Sequence, residues 1–125
     1  MGKGMQKLIF VVDDNDANLA MAASVLEWGY QILTIPSAEK MFMLLGKKQP
    51  DLILLDNEMP EMSGLEALVK LKENPQWKEI PVVFLTGWRD DKLLSDVIKA
   101  GALEIIDKPI VPSILIDCVK NHIGI

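Results

Sequence analysis

The sequence predicts an α/β domain of the doubly wound kind, a parallel sheet with helices on both faces. Short apolar runs recur at residues 8–12, 30–35, 52–55, 82–85 and 103–106, unbroken in the first, third and fourth. Continuous runs, as opposed to alternating ones, suit strands covered on both faces. Stretches of helical length separate them, and helical crossovers are what join parallel strands. The chain has 125 residues, half of them hydrophobic, which is enough core for one such domain and not for two.

Each element has its own signals. The first strand is followed at once by Asp13, Asp14 and a helix in which Met21, Ala22, Val25 and Leu26 share one face. At helical spacing these four form the expected core face, which turns Leu19, Ala20 and Ala23 outward. That helix carries no Lys or Arg, so its outward face is apolar, and such a helix is either more buried than it looks or reserved for a partner. Gly29, Gly46 and Gly101 stand where three helices close and a left-handed residue is expected. Ser37 is placed to cap the second helix, Pro81 opens the fourth strand, and Pro112 falls in the first turn of the fifth helix. There Ile114, Leu115 and Cys118 recur at helical spacing, so Cys118 reads as a buried small hydrophobe, while His122 reads as a surface residue near the tail. No linker, low-complexity segment or internal repeat interrupts residues 1–125, which read as a single domain.

Composition excludes several function classes. Thirteen Lys and Arg stand against 18 Asp and Glu, a formal charge of −5, and no basic run offers a footprint for a phosphate backbone, so direct nucleic-acid binding is not expected. The single cysteine cannot form an internal disulfide and lies in no zinc-like spacing. The longest apolar runs fall far short of the roughly 20 residues that span a bilayer. The opening Met1-Gly2-Lys3-Gly4-Met5-Gln6 lacks the long apolar region of a secretory signal and the Ser or Thr of a myristoylation signal. The expectation is a cytoplasmic protein without a membrane segment.

The predicted strand ends hold the chemistry. In a doubly wound sheet, ligands bind beyond the carboxyl ends of the strands. Those ends are Asp13 and Asp14, Asp56, Thr86, and Asp107-Lys108-Pro109. Three carboxylates brought to about 5 Å repel one another by roughly 3 kcal/mol per pair at an effective dielectric near 20. Lys108 supplies one compensating charge, and a hard divalent cation, Mg²⁺ by its preference for oxygen and water, supplies the rest. A carboxylate flanked by a metal and an ammonium can attack a phosphoryl group, with a hydroxyl such as Thr86 donating to one of its oxygens. Asp56 is best placed to be that nucleophile.

These residues, with residues 56–64 reading D-N-E-M-P-E-M-S-G against the pattern D-x-x-M-P-x-M-x-G, resemble the receiver domain of two-component response regulators over essentially the whole chain. The resemblance implies a (βα)5 flavodoxin-like three-layer sandwich with a five-stranded parallel sheet of order 2-1-3-4-5. It implies that Asp56 accepts a phosphoryl group from a phosphohistidine, and that Asp14, Asp56 and the backbone carbonyl of Glu58 hold Mg²⁺ while Asp13 assists. It further implies that Lys108 pairs with the phosphoryl group and that the Thr86 hydroxyl is drawn toward it as the switch. No cofactor other than the metal is implied, and no turnover beyond autocatalytic phosphotransfer and autodephosphorylation. The expected partners are a histidine kinase or histidine phosphotransfer protein, docking on Leu19, Ala20, Ala23 and the loop around Pro109, and a downstream effector domain or protein. The chain is then either a free-standing receiver or a module of a longer protein.

Two departures stand out. Ile105 occupies the position where such domains carry the aromatic partner of the switch hydroxyl, and Trp88 and Glu58 stand at positions that, by the same resemblance, flank the path of the hydrolytic water. A bulky indole there is expected to shield the phosphoryl group; Glu58 offers an alternative role, orienting a water. Other readings fit less well. A small phosphatase with an Asp nucleophile wants a second acid as D-x-D, where Asn57 and Glu58 stand. A flavodoxin-like electron carrier would bring its phosphate against two aspartates. A phosphorylation-independent binding module leaves the complete set of strand-end residues without a purpose.

Overall fold

The computed structural model describes residues 6–88 and 90–125; the opening segment read above lies largely outside them. The elements alternate strictly: β1 (Leu8–Val12), α1 (Asp16–Leu26), β2 (Gln31–Ile35), α2 (Ala38–Leu45), β3 (Leu52–Asp56), α3 (Gly64–Glu73), β4 (Val82–Thr86), α4 (Asp91–Lys99), β5 (Glu104–Asp107) and α5 (Pro112–Ile123). The five strands form one parallel sheet in the order β2-β1-β3-β4-β5, as the resemblance implied.

The continuous apolar runs of β1, β3 and β4 are explained by burial on both faces. Alternate residues feed opposite layers. Phe10 and Val12 of β1 join Ile53, Leu55 and Phe84 against α2, α3 and α4 through Met41, Leu68, Leu71 and Val97. Ile9 and Val11 join Leu52, Leu54, Val83 and Leu85 against α1 and α5 through Leu26, Leu115 and Val119. Met59 and Met62 pack as partly buried filler on the first of these cores. β2 and β5 are the edges, half exposed; β2 starts one residue later than its apolar run, and both bounds of β5 fall one residue later than its run.

The helix ends follow the local signals with two corrections. Ser37 caps α2, accepting from the Lys40 N–H at 3.2 Å, and Pro112 is the first residue of α5. Gly101 alone of the three closing glycines takes the left-handed conformation, with φ +108°. Gly46 stays right-handed at φ −71°, because α2 ends in a loose turn that any residue can adopt.

The second correction concerns α1. Its buried residues are Leu19, Ala22 and Leu26, so Leu19, 7% exposed, belongs to the core and not to an outward face. Ala20 is exposed and Ala23 half-buried. In a helix apolar nearly all round, several registers give an apolar stripe, and the sheet selects one that pairs i, i+3 and i+7.

Candidate functional site

Four strand ends meet at one edge of the sheet. Asp13 and Asp14 follow β1, Asp56 ends β3, Thr86 ends β4, and Lys108 follows β5. Asp13, Asp56 and Thr86 are buried; Asp14 is exposed. One carboxylate oxygen from each of Asp13, Asp14 and Asp56 lies within 4.8 Å of the other two, the convergence the sequence led one to expect.

Asp13 is fixed by the start of α1. Its Oδ1 accepts from the Asn15 N–H at 2.9 Å and its Oδ2 from the Asn18 side-chain amide at 3.1 Å. The helix cap is Asn15, which accepts from the Asn18 N–H at 3.0 Å, so neither aspartate is consumed in capping. Lys108 Nζ lies 3.4 Å from Asp13 Oδ2 and forms a close ion pair with Asp56 Oδ1. Apart from that pair, neither oxygen of the fully buried Asp56 has a hydrogen-bond partner among the described residues.

Burial pushes the Asp56 carboxyl up from 3.8 to about 6; Asp13 and Glu58 add to the rise and Lys108 opposes it. Burial also works against the Lys108 charge, but the hydrogen bond and charge of Asp56, then Asp13, outweigh it and hold the ammonium above its ordinary range. Three acids thus converge on one lysine that pairs with two of them, Asp13 and Asp56, and a buried carboxylate oxygen has no partner. This hard-oxygen donor set fits a divalent cation. Acid clustering alone would not say so; the orphaned oxygen does.

The loop after Asp56 is shaped by its glycine. A Cβ on Gly64 would stand 2.2 Å from the Asp56 carbonyl oxygen, so the start of α3 reaches the end of β3 only because position 64 has no side chain. Asn57 holds the approach, its carbonyl accepting from the Gly64 N–H at 3.0 Å and its side chain from the Leu65 N–H at 3.2 Å. The Lys108–Pro109 peptide is cis.

Thr86 is already engaged. Its hydroxyl is 2.7 Å from Glu58 Oε2 and accepts from the Trp88 N–H at 3.0 Å. The single hydroxyl proton goes to the carboxylate, the shorter and charged partner. Gly87 N–H donates to the other Glu58 oxygen at 3.3 Å. The Trp88 indole is 65% exposed and donates to Asp90 at 3.0 Å, so the expected shield over Asp56 is not formed in this arrangement. The Glu58 side chain was legible only as a neighbour of the site, because its reach across to β4 depends on the loop path. Asn15 and Asn18 carried a signal in the run V-D-D-N-x-x-N from Val12.

A second group of metal-ligating side chains lies elsewhere. Glu104 Oε1 accepts from Cys118 Sγ at 3.3 Å and lies 2.9 Å from His122 Nε2. His122, expected at the surface, is half-buried through this contact. Burial, then Glu104, pushes the Cys118 thiol up to about 12. These polar atoms satisfy one another.

Comparison with known proteins agrees with this geometry. Residues 9–120 match the family model described as the response regulator receiver domain. The polar-differentiation response regulator DivK of Brucella ovis is 31% identical over 121 residues, covering 96% of this chain and 98% of that protein. A probable cyclic di-GMP phosphodiesterase of Vibrio cholerae is 35% identical over 118 residues; the match covers 94% of this chain and only 27% of that protein. Among solved structures, the Mn²⁺-bound form of response regulator Rcp1 superposes with a TM-score of 0.80 at 25% identity, over 92% of this chain and 90% of that one.

Proposed function

The chain belongs to the response regulator receiver family and is a phosphoacceptor signalling domain of two-component phosphorelay, and on that footing we propose that Asp56 is the acceptor. The observation that carries this is a fully buried carboxylate with an unpartnered oxygen, one lysine against it and two further acids beside it. An Asp56 oxygen bonds to phosphorus as the P–N bond of a phosphohistidine breaks, and the bonding pair returns to the imidazole. Lys108 is positioned to neutralise a phosphoryl oxygen, and burial keeps competing water from the carboxylate.

Mg²⁺, which Asp14, Asp56 and the Glu58 carbonyl would hold with Asp13 assisting, would supply charge neutralisation at the phosphoryl oxygens. Support for a divalent ion comes from the donor set and from the Mn²⁺-bound relative. Residues 1–125 then act as one receiver, cytoplasmic in location, with no turnover beyond phosphotransfer and autodephosphorylation. Among the described residues no helix is long and apolar enough to cross a membrane.

Receiver domains work with histidine kinases and downstream effectors. For this chain we assign the donor-docking face to Ala20 and Ala23 of α1 and the loop around Pro109, with Leu19 removed from it by burial. The output route runs from Thr86 to the Trp88 backbone N–H and from the Trp88 indole N–H to Asp90, whose side chain caps α4 by accepting from the Leu93 N–H at 2.9 Å. This takes the place of an aromatic at Ile105.

Monophosphoimidazole tests the reading, since it presents the same P–N bond without a protein partner. The wild-type chain is expected to acquire an acyl phosphate only with Mg²⁺ present, and Lys108→Ala to acquire it at least about a hundredfold more slowly, a common loss when one charge-stabilising group is removed. Equal labelling in EDTA would overturn it.

A further inference from the structure

We propose that the Glu58 carboxylate is a built-in occupant of the phosphoryl-oxygen position, an internal anion that must swing out before Asp56 can be stably phosphorylated. The inference rests on the reading of Asp56 as acceptor and adds a gate to it. Thr86 sits at the end of β4, next to β3 in the sheet, and its hydroxyl and the following Gly87 N–H are two donors aimed at one anion. Both are held by Glu58, at 2.7 and 3.3 Å. Asn57 adds a third donor, its side-chain amide standing 3.4 Å from the same carboxylate.

That carboxylate is bonded at the end of β4, whose Leu85 stands opposite Asp56 on the neighbouring strand, so a phosphoryl group on Asp56 would meet a like charge already using the donors it needs. Two anions cannot share one hydroxyl proton. Glu58 is nonetheless exposed, and a carboxylate released from the surface recovers its hydration, so the contact is displaceable. Neutral donors held in place by an anion also keep Thr86 positioned until the phosphoryl group takes it over. Glu58 is therefore a positioning residue with an inhibitory side: its charge slows uptake, and its departure is what frees Thr86.

The test uses the full chain with Mg²⁺ and acetyl phosphate, comparing wild type, Glu58→Gln and Glu58→Ala by intact mass. Two rates are read, gain of the adduct and its loss after the donor is removed. Uptake is expected to be about tenfold faster in Glu58→Ala, the scale of one charge-assisted hydrogen bond exchanged, with Glu58→Gln in between. In a Thr86→Val background the acceleration should shrink, because the contested hydroxyl is gone. Equal uptake by all three proteins overturns the gate, as does an unchanged uptake with altered loss, which would make Glu58 a residue acting on the hydrolytic water. Full acceleration persisting in Thr86→Val also overturns it, leaving bare charge repulsion. No adduct on any of the three would instead sink the acceptor reading beneath it.

Discussion

Two clusters of metal-ligating side chains lie among the described residues of this small domain, and they are resolved in opposite ways. Around Glu104 one carboxylate oxygen serves both a thiol and an imidazole, and no buried side-chain atom of the group is left without a partner. Around Asp56 three carboxylates converge, one ammonium pairs with two of them, and a buried oxygen is left without a partner. The first arrangement is what folding produces when polar groups are buried for stability. The second costs stability, and such a cost persists where function needs the charge. The contrast teaches that the ligand types in a cluster matter less than whether the cluster is satisfied.

The contrast can be broken or sharpened by substitution. Within the two clusters, the largest effect is expected from Asp56→Asn in metal-free protein. At neutral pH the wild-type carboxyl is charged in both folded and unfolded chains, and the folded chain alone bears the burial cost. A rise from 3.8 to about 6 converts to about 3 kcal/mol of added stability for the Asn variant. Below the unfolded value both chains are protonated and the cost is absent, so the gap should close as pH falls from about 6 to about 4. Urea denaturation in EDTA across that range measures it; a variant less stable than wild type at pH 7 would refute the frustrated-pocket account.

Next in size is the metal. Mg²⁺ at a hundred times its dissociation constant should stabilise wild type by about 2.7 kcal/mol and leave Asp56→Asn nearly unmoved. In the satisfied cluster the sign reverses. Glu104→Gln weakens two hydrogen bonds and should cost about 1 kcal/mol, with no change in the response to Mg²⁺. A Glu104→Gln protein more stable than wild type would erase the distinction between the two clusters. The smallest effect belongs to the docking face: Ala20→Glu should slow transfer from a phosphohistidine donor protein while leaving the unfolding midpoint within about 0.5 kcal/mol. Leu19→Glu, by contrast, should unfold the domain, since it buries a charge.

How much was readable beforehand follows the same physics. The interior strands β1, β3 and β4 were legible because burial on both faces leaves an unbroken apolar run. At the edges, the start of β2 and both bounds of β5 differ from the runs by a residue, because exposure dilutes that signal. The α1 face was misjudged since Leu19, Ala20, Ala22 and Ala23 are all apolar and periodicity could not choose among them. At the site, Asp13, Asp14, Asp56, Thr86 and Lys108 were legible because topology alone carries strand ends to one edge. The Glu58 bridge to Thr86 and Gly87 was not, because it depends on a loop path that Gly64 sets through a contact with the Asp56 carbonyl. Nor did the sequence reveal the His122 pairing with Glu104, two residues 18 positions apart on different elements.

The central claim is that Asp56 takes the phosphoryl group, and site mapping tests it most directly. Wild type and Asp56→Asn are incubated with Mg²⁺ and acetyl phosphate, weighed intact, and reduced with borohydride, which converts an acyl phosphate to an alcohol that peptide sequencing can locate. The account predicts one phosphoryl adduct on wild type, mapped to Asp56, and none on the variant. An adduct of the same yield on Asp56→Asn, or one mapped to Asp13 or Asp14 in wild type, would contradict it.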